Sequence, residues 1–80
     1  MADYPFPMDP LLERVLSDPM ICSGKHCLKG TRIPVHTILD LLAAGEDYGG
    51  IKRAYPNVTD DDIRACIVYA DLLADGLNTV

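Results

Sequence analysis

The side chains with most to offer chemically fall in one short stretch. Lys25, Lys29 and Arg32, with His26 inside the run and His36 just beyond it, can meet phosphate or carboxylate oxygens. Arginine in particular suits a bidentate contact with a carboxylate. Such a set fits a positive face laid against phosphates or against clustered carboxylates. The alternative is a solvated basic loop. Arg32 is the sharpest candidate because Thr31 on one side and Ile33-Pro34 on the other hold it where a turn hands over to a helix. Its alternative role is to cap backbone carbonyls within the domain.

The charge distribution sets this stretch apart. The chain has 80 residues and a formal net charge of −5. Residues 1–18 carry four acids and one base, residues 40–80 eight acids and three bases, and residues 19–39 three bases and no acid. An acidic total opposes indiscriminate attraction to nucleic acid, so one basic island in an acidic chain points to a specific partner.

Other reactive residue types lead to weaker readings. Cys22, His26 and Cys27 cluster, yet no fourth ligand stands at the spacing that closes a tetrahedral zinc site, so neither a metal nor a cofactor is expected. Asp60, Asp61 and Asp62 are explained by helix capping. There is no Gly-x-Ser-x-Gly, no phosphate-binding glycine loop and no carboxylate dyad, and no enzyme activity is expected. Three cysteines are an odd number, and no secretion signal accompanies them, which points to reduced thiols in the cytoplasm. No apolar run reaches the length of a membrane span, and the opening Met-Ala-Asp-Tyr-Pro lacks the pattern of a signal peptide.

The elements that must position these residues follow from periodicity. Residues 3–10 carry a proline at nearly every second position and read as an extended arm. Asp9 and Pro10 then suit the start of a short helix carrying Leu11, Leu12, Val15 and Leu16, stopped at Asp18-Pro19. Met20 to Leu28 reads as a small hairpin turning at Ser23-Gly24-Lys25-His26. From Ile33 to about Leu77 the pattern predicts a bundle of three short helices, so the chain as a whole is mostly α.

The first helix opens at Pro34, buries Val35, Ile38, Leu39 and Leu42, and stops at Gly45. The second is capped by Asp47, shares a face among Tyr48, Ile51 and Tyr55, and closes at Pro56. Gly49 and Gly50 each cost it about 1 kcal/mol of helix propensity. The third begins at Asp60, with Thr59 and Asp62 forming a variant capping box. It presents Ile63, Cys66, Ile67, Ala70 and Leu73 on one face and Ala65, Tyr69 and Leu72 on a second. That is more apolar surface than two short helices cover, so Tyr69, Leu72 and Leu73 are expected at a homodimer or partner interface. Tyr55 reads as core with its hydroxyl at the rim.

The run Asp18-Pro19-Met20-Ile21-Cys22-Ser23-Gly24-Lys25-His26-Cys27-Leu28-Lys29-Gly30-Thr31-Arg32-Ile33-Pro34-Val35 closely resembles the signature of domain-of-unknown-function family 433 (DUF433), small bacterial and archaeal proteins. A second block agrees in order and spacing: Ile38 to Gly45, Ile51, Tyr55-Pro56, Val58-Thr59 and Asp62-Ile63. The resemblance implies a homeodomain-like three-helix helix-turn-helix bundle at residues 18–80, preceded by a small β-hairpin or strand segment, with residues 1–17 as arm and short helix. It further implies kinship with small VapB-like antitoxins paired with PIN-like ribonuclease toxins. His26, where relatives commonly have proline, and Gly49-Gly50, where they commonly have acidic helix formers, depart from the pattern.

The expected function is therefore an antitoxin-like protein-interaction module that neutralises a PIN-like toxin by binding it, with Lys25, Lys29, Thr31, Arg32, Lys52 and Arg53 as candidate contacts to partner or nucleic acid. The alternative is a helix-turn-helix DNA-binding regulator acting on its own operon. In that case Asp60-Asp61-Asp62 would set the wrong charge at the turn that usually meets DNA, leaving Lys52, Arg53 and the basic island to touch the backbone.

Overall fold

The computed structural model describes residues 10–77. The expected arm, its Asp9 cap and the last three residues lie outside them. Within that span a 3-10 helix, Pro10–Arg14, is followed by strands β1 (Val15–Asp18) and β2 (Ile21–Leu28) and helices α1 (Val35–Ala43), α2 (Tyr48–Ala54) and α3 (Asp60–Leu77). The domain is thus mostly helical, with one antiparallel two-stranded sheet.

The sheet corrects the reading of its first half. Val15 and Leu16, expected on a helix, lie in β1 opposite Leu28 and Cys27. Helical geometry ends at Arg14, whose carbonyl accepts the Lys29 N–H at 2.7 Å. Cys27 and Leu28 are both fully buried. Cross-strand pairing onto a buried partner outweighs the local i, i+3 apolar spacing, as strand formation is decided largely by packing.

The hairpin also turns elsewhere than expected. Its tip is Pro19-Met20, between strands whose register runs Val15↔Leu28, Leu16↔Cys27, Ser17↔His26 and then Asp18↔Ile21. Residues 22–25 therefore loop out of β2 between the last two pairs, and they include three of the four residues expected to form the turn, His26 being paired with Ser17. Ser23 (φ 54°) and Gly24 (φ 82°) take up the left-handed backbone there, and the Ser17 hydroxyl donates to the Gly24 carbonyl at 2.7 Å. The sequence boundary drawn between residues 17 and 18 cuts through β1.

The helices follow their capping residues. α1 begins after Pro34 and ends where Gly45, at φ 97°, lets the Glu46 N–H reach back to the Leu41 carbonyl. Asp47 caps α2 by accepting from the Gly50 N–H at 2.8 Å. At α3 the Thr59 hydroxyl accepts from the Asp62 N–H (3.1 Å) while the Asp62 carboxylate accepts from the Thr59 N–H (3.0 Å), a reciprocal box built with aspartate. α3 runs for 18 residues, so two helices are short and the third is not: its apolar period continues with no glycine or proline before Gly76.

Leu28, Val35, Ile38, Ile51, Val58, Ile63 and Cys66 form the core. Each large aliphatic among them contributes on the order of 1.5–3 kcal/mol by leaving water. The inward side of α3 carries Ile63, Ala65 and Cys66, whereas Ile67, expected beside them, is 42% exposed. Ala65 is inside because the 3-10 helix and β1 pack against α3 as well as α1 does.

Gly49 tests the weak point of α2. A Cβ built there meets only Arg53 and Asp47 side-chain atoms at 3.5 Å, ordinary contact distance. Gly49→Ala should therefore raise stability by roughly 0.5–1 kcal/mol, read as a higher urea midpoint at unchanged slope.

Candidate functional site

The basic stretch is held by its own backbone. The Leu28 N–H donates to the Ile33 carbonyl and the Thr31 N–H to the Leu28 carbonyl, both at 3.0 Å. The Thr31 hydroxyl donates to the Leu28 carbonyl at 2.8 Å and accepts from the Ile33 N–H at 3.0 Å. Gly30, at φ 81°, makes the turn possible. Cys27 bridges to Pro34 immediately outside this ring of bonds. Residues 28–33 are thus a tight closed loop, and Thr31 is its internal latch, with its hydroxyl engaged as both donor and acceptor.

The cationic side chains stand outside this latch. Lys25, Lys29 and Arg32 are all exposed. Lys25 and Lys29 form no ion pair with any of the described residues. They do not, however, share one patch. Lys29 lines a groove of about 490 Å³ with Pro10, Leu11, Glu13, Arg14 and the first turn of α3. Lys25 lines a second groove, of about 310 Å³, together with His26, His36, Val35, Leu39, Tyr69 and Leu73.

The first groove is electrostatically mixed. Arg14 spans from the 3-10 helix to Asp62 (3.2 Å) and Asp61 (3.7 Å), while Arg64 also approaches Asp61 (3.7 Å). Asp62 is buried, at 8% exposure, yet both of its oxygens are engaged, one by Arg14 and one by the Thr59 amide. Arg14 was not legible as a functional or structural anchor, since its partners lie 48 residues away. On α2, Lys52 reaches Asp60 at 2.7 Å, and Arg53 is exposed. The acidic turn that begins α3 is consequently occupied by the domain's own cations.

The second groove joins residues from separate parts of the chain. The Tyr69 hydroxyl and His26 Nδ1 are 2.9 Å apart, and their rings lie 4.8 Å apart at 38°. This contact pins the hairpin to the middle of α3. His36 lies 3.5 Å from Asp40, one turn along α1. Leu73 is 54% exposed at the groove's end, and Leu72 is half-buried beside it. Of the residues expected at an interface, Tyr69 thus has an intramolecular partner and Leu73 faces solvent.

The two described thiols, Cys27 and Cys66, line neither groove. Cys27 and Cys66 are buried and in no disulfide among the described residues, and the side chain of Cys22 lies outside the described residues. Burial, with the Asp62 carboxylate adding to it, pushes the Cys66 thiol up to about 12, which keeps it protonated and unreactive. Among the described residues no group of three histidine, cysteine or acidic side chains is placed to hold a metal ion, and no helix is long and apolar enough to cross a membrane. The arrangement can bind by charge and by apolar contact.

A two-stranded hairpin laid on three helices, with a latched cationic loop between them, defines a small, mostly helical domain. Residues 15–70 match the family model described as protein of unknown function (DUF433), and the chain belongs to that family. The chain is 34% identical over 59 residues to the uncharacterized protein y4eO of Sinorhizobium fredii (strain NBRC 101917 / NGR234), a match that takes in 74% of this chain and 27% of that protein. It is also similar to the crystal structure of a DUF433 member protein from Anabaena variabilis ATCC 29413 at 2.00 Å resolution. That match has a TM-score of 0.71 and 25% identity, over 81% of this chain and 64% of the other. The chain therefore spans about a quarter of the curated relative and just under two thirds of the crystallised one.

The buried thiol has a consequence for stability at high pH. A raised thiol pKa in the folded state means that the unfolded chain releases its proton first, so stability falls as pH rises through 9 towards 12. The loss approaches about 1.4 kcal/mol per pH unit at most. Urea midpoints at pH 8 and pH 10.5 should therefore drop further for the wild-type chain than for Cys66→Ala, and equal drops would contradict the assignment.

Proposed function

We propose that this chain is an antitoxin-like protein-interaction module that neutralises a PIN-like ribonuclease toxin by binding it. The observation that carries the reading is the latched loop: Lys29 and Arg32 project from a backbone fixed by its own hydrogen bonds, with Lys25 exposed on the strand that enters it. Cations held in this way lose little freedom on binding, and they suit the acidic metal-binding pocket of a nuclease. Binding would then block access to that pocket without any chemistry by the chain itself. We also assign a homodimer, through the part of α3 that leaves Ile67 exposed.

The path from α2 through residues 55–59 into α3 supports reading this pair as a homeodomain-like helix-turn-helix. With that comes the alternative of a DNA-binding regulator acting on its own operon. Charge weighs against it, since Asp60 and Asp61 flank the turn that would meet phosphates and Lys52 is already paired with Asp60. A gel shift on the upstream region with steep salt dependence would favour the DNA reading.

The test is inhibition of RNA cleavage by a PIN-like nuclease encoded beside this chain. Wild-type chain should abolish cleavage at near-stoichiometric amounts, and a Lys25→Ala, Arg32→Ala double variant with unchanged circular dichroism should need at least tenfold more. Equal inhibition by the double variant would remove the cationic contact, and no inhibition by the wild type would remove the proposal.

A further inference from the structure

The groove between the hairpin, α1 and α3 combines two properties that the chain keeps apart elsewhere. Its walls are apolar: Val35 and Leu39 from α1, and the Tyr69 ring and Leu73 from α3. Its lysine and imidazole side chains are Lys25, His26 and His36. No carboxylate lines it, although the chain has 12 acidic residues against 7 lysines and arginines. Asp40, one turn along α1, lies 3.5 Å from the His36 imidazole and is not part of the lining.

We infer that this groove is a docking site for a segment of a partner protein that inserts an apolar side chain flanked by carboxylates. Charge decides the occupant. A twofold pairing of the groove with itself sets one lysine-bearing, acid-free lining against another and offers Lys25 no counter-charge, whereas an acidic segment supplies one. The apolar walls supply the anchor: a volume of about 310 Å³ takes a leucine- or phenylalanine-sized side chain with part of its backbone. The site is preformed, because the Tyr69–His26 contact fixes the hairpin wall against α3 and Val35 is fully packed from behind. Leu73, more than half exposed, is left as the residue that closes over the anchor.

This inference rests on the reading of the chain as a protein-interaction module and says which surface receives the partner. It is tested on the full chain with three peptides that share one leucine-rich core and differ only in their flanks of glutamate, serine or lysine. Binding is followed by amide chemical shifts of the ¹⁵N-labelled chain. The glutamate-flanked peptide should bind at least tenfold more tightly than the lysine-flanked one and perturb His26, His36, Leu39 and Leu73. Its advantage should shrink in 0.5 M salt. Leu73→Glu, at an exposed position that leaves the fold intact, should abolish binding, and Lys25→Glu should reverse the order of the peptides.

Equal affinity for the three flanks, no shifts at millimolar peptide, or binding indifferent to Leu73→Glu would overturn the site. Self-association abolished by Leu73→Glu would overturn it in favour of a second copy. The two proposals fail separately. A Leu73→Glu chain that still inhibits the nuclease removes the groove and leaves the function, whereas peptides bound as expected with no nuclease inhibited does the reverse.

Discussion

The fold depends on how one buried carboxylate is satisfied. Asp62 sits at 8% exposure at the start of α3, where an unpaired charge would cost several kcal/mol. It is stabilised from two directions: the Thr59 amide closes the helix cap, and the Arg14 guanidinium arrives from the 3-10 helix at the other end of the described chain. That second contact holds the entry of β1 against α3. β1 in turn sets the register of β2, and the last residue of β2 opens the latched loop. Helix capping, hairpin placement and presentation of Lys29 and Arg32 are therefore linked through a single side chain.

The same arrangement explains why the most acidic segment does not define the surface chemistry. Three consecutive aspartates look like a crude cation site. In the folded chain they are consumed locally, Asp60 by Lys52, Asp61 by Arg14 and Arg64, and Asp62 by Arg14 and the cap. The partly exposed pairs add little each, being screened by water. Among the described residues Lys25 and Lys29, like Arg53 on α2, form no ion pair.

Much of the helical half was legible because its signals are local. Pro34, Gly45, Asp47 and Thr59 each act within one turn of the chain, and each marks a helix end where expected. The hairpin was only partly legible. A strand segment ahead of the helices was expected, but both arms of the expected hairpin fall within β2, and the pairing of Val15 with Leu28 depends on burial against α1 and α3, which spacing does not carry. The candidate site divided in the same way. The basic stretch stood out by charge, whereas the separation of Lys25 from Lys29 between two grooves, the Arg14 anchor and the His26–Tyr69 contact are long-range facts. Thr31 looked like a contact residue and is a latch, since a hydroxyl beside a glycine turn has backbone partners within reach.

The central claim is that the cationic loop is a rigid extension of the core and not a surface loop that orders on binding. Native-state amide hydrogen exchange measures this directly, by comparing Leu28, Lys29 and Thr31 in the loop with Ile63 in α3. All four amides should exchange only through global unfolding, with one common free energy and one common denaturant dependence. Exchange of Lys29 and Thr31 at a lower free energy, insensitive to denaturant while Ile63 stays protected, would contradict it.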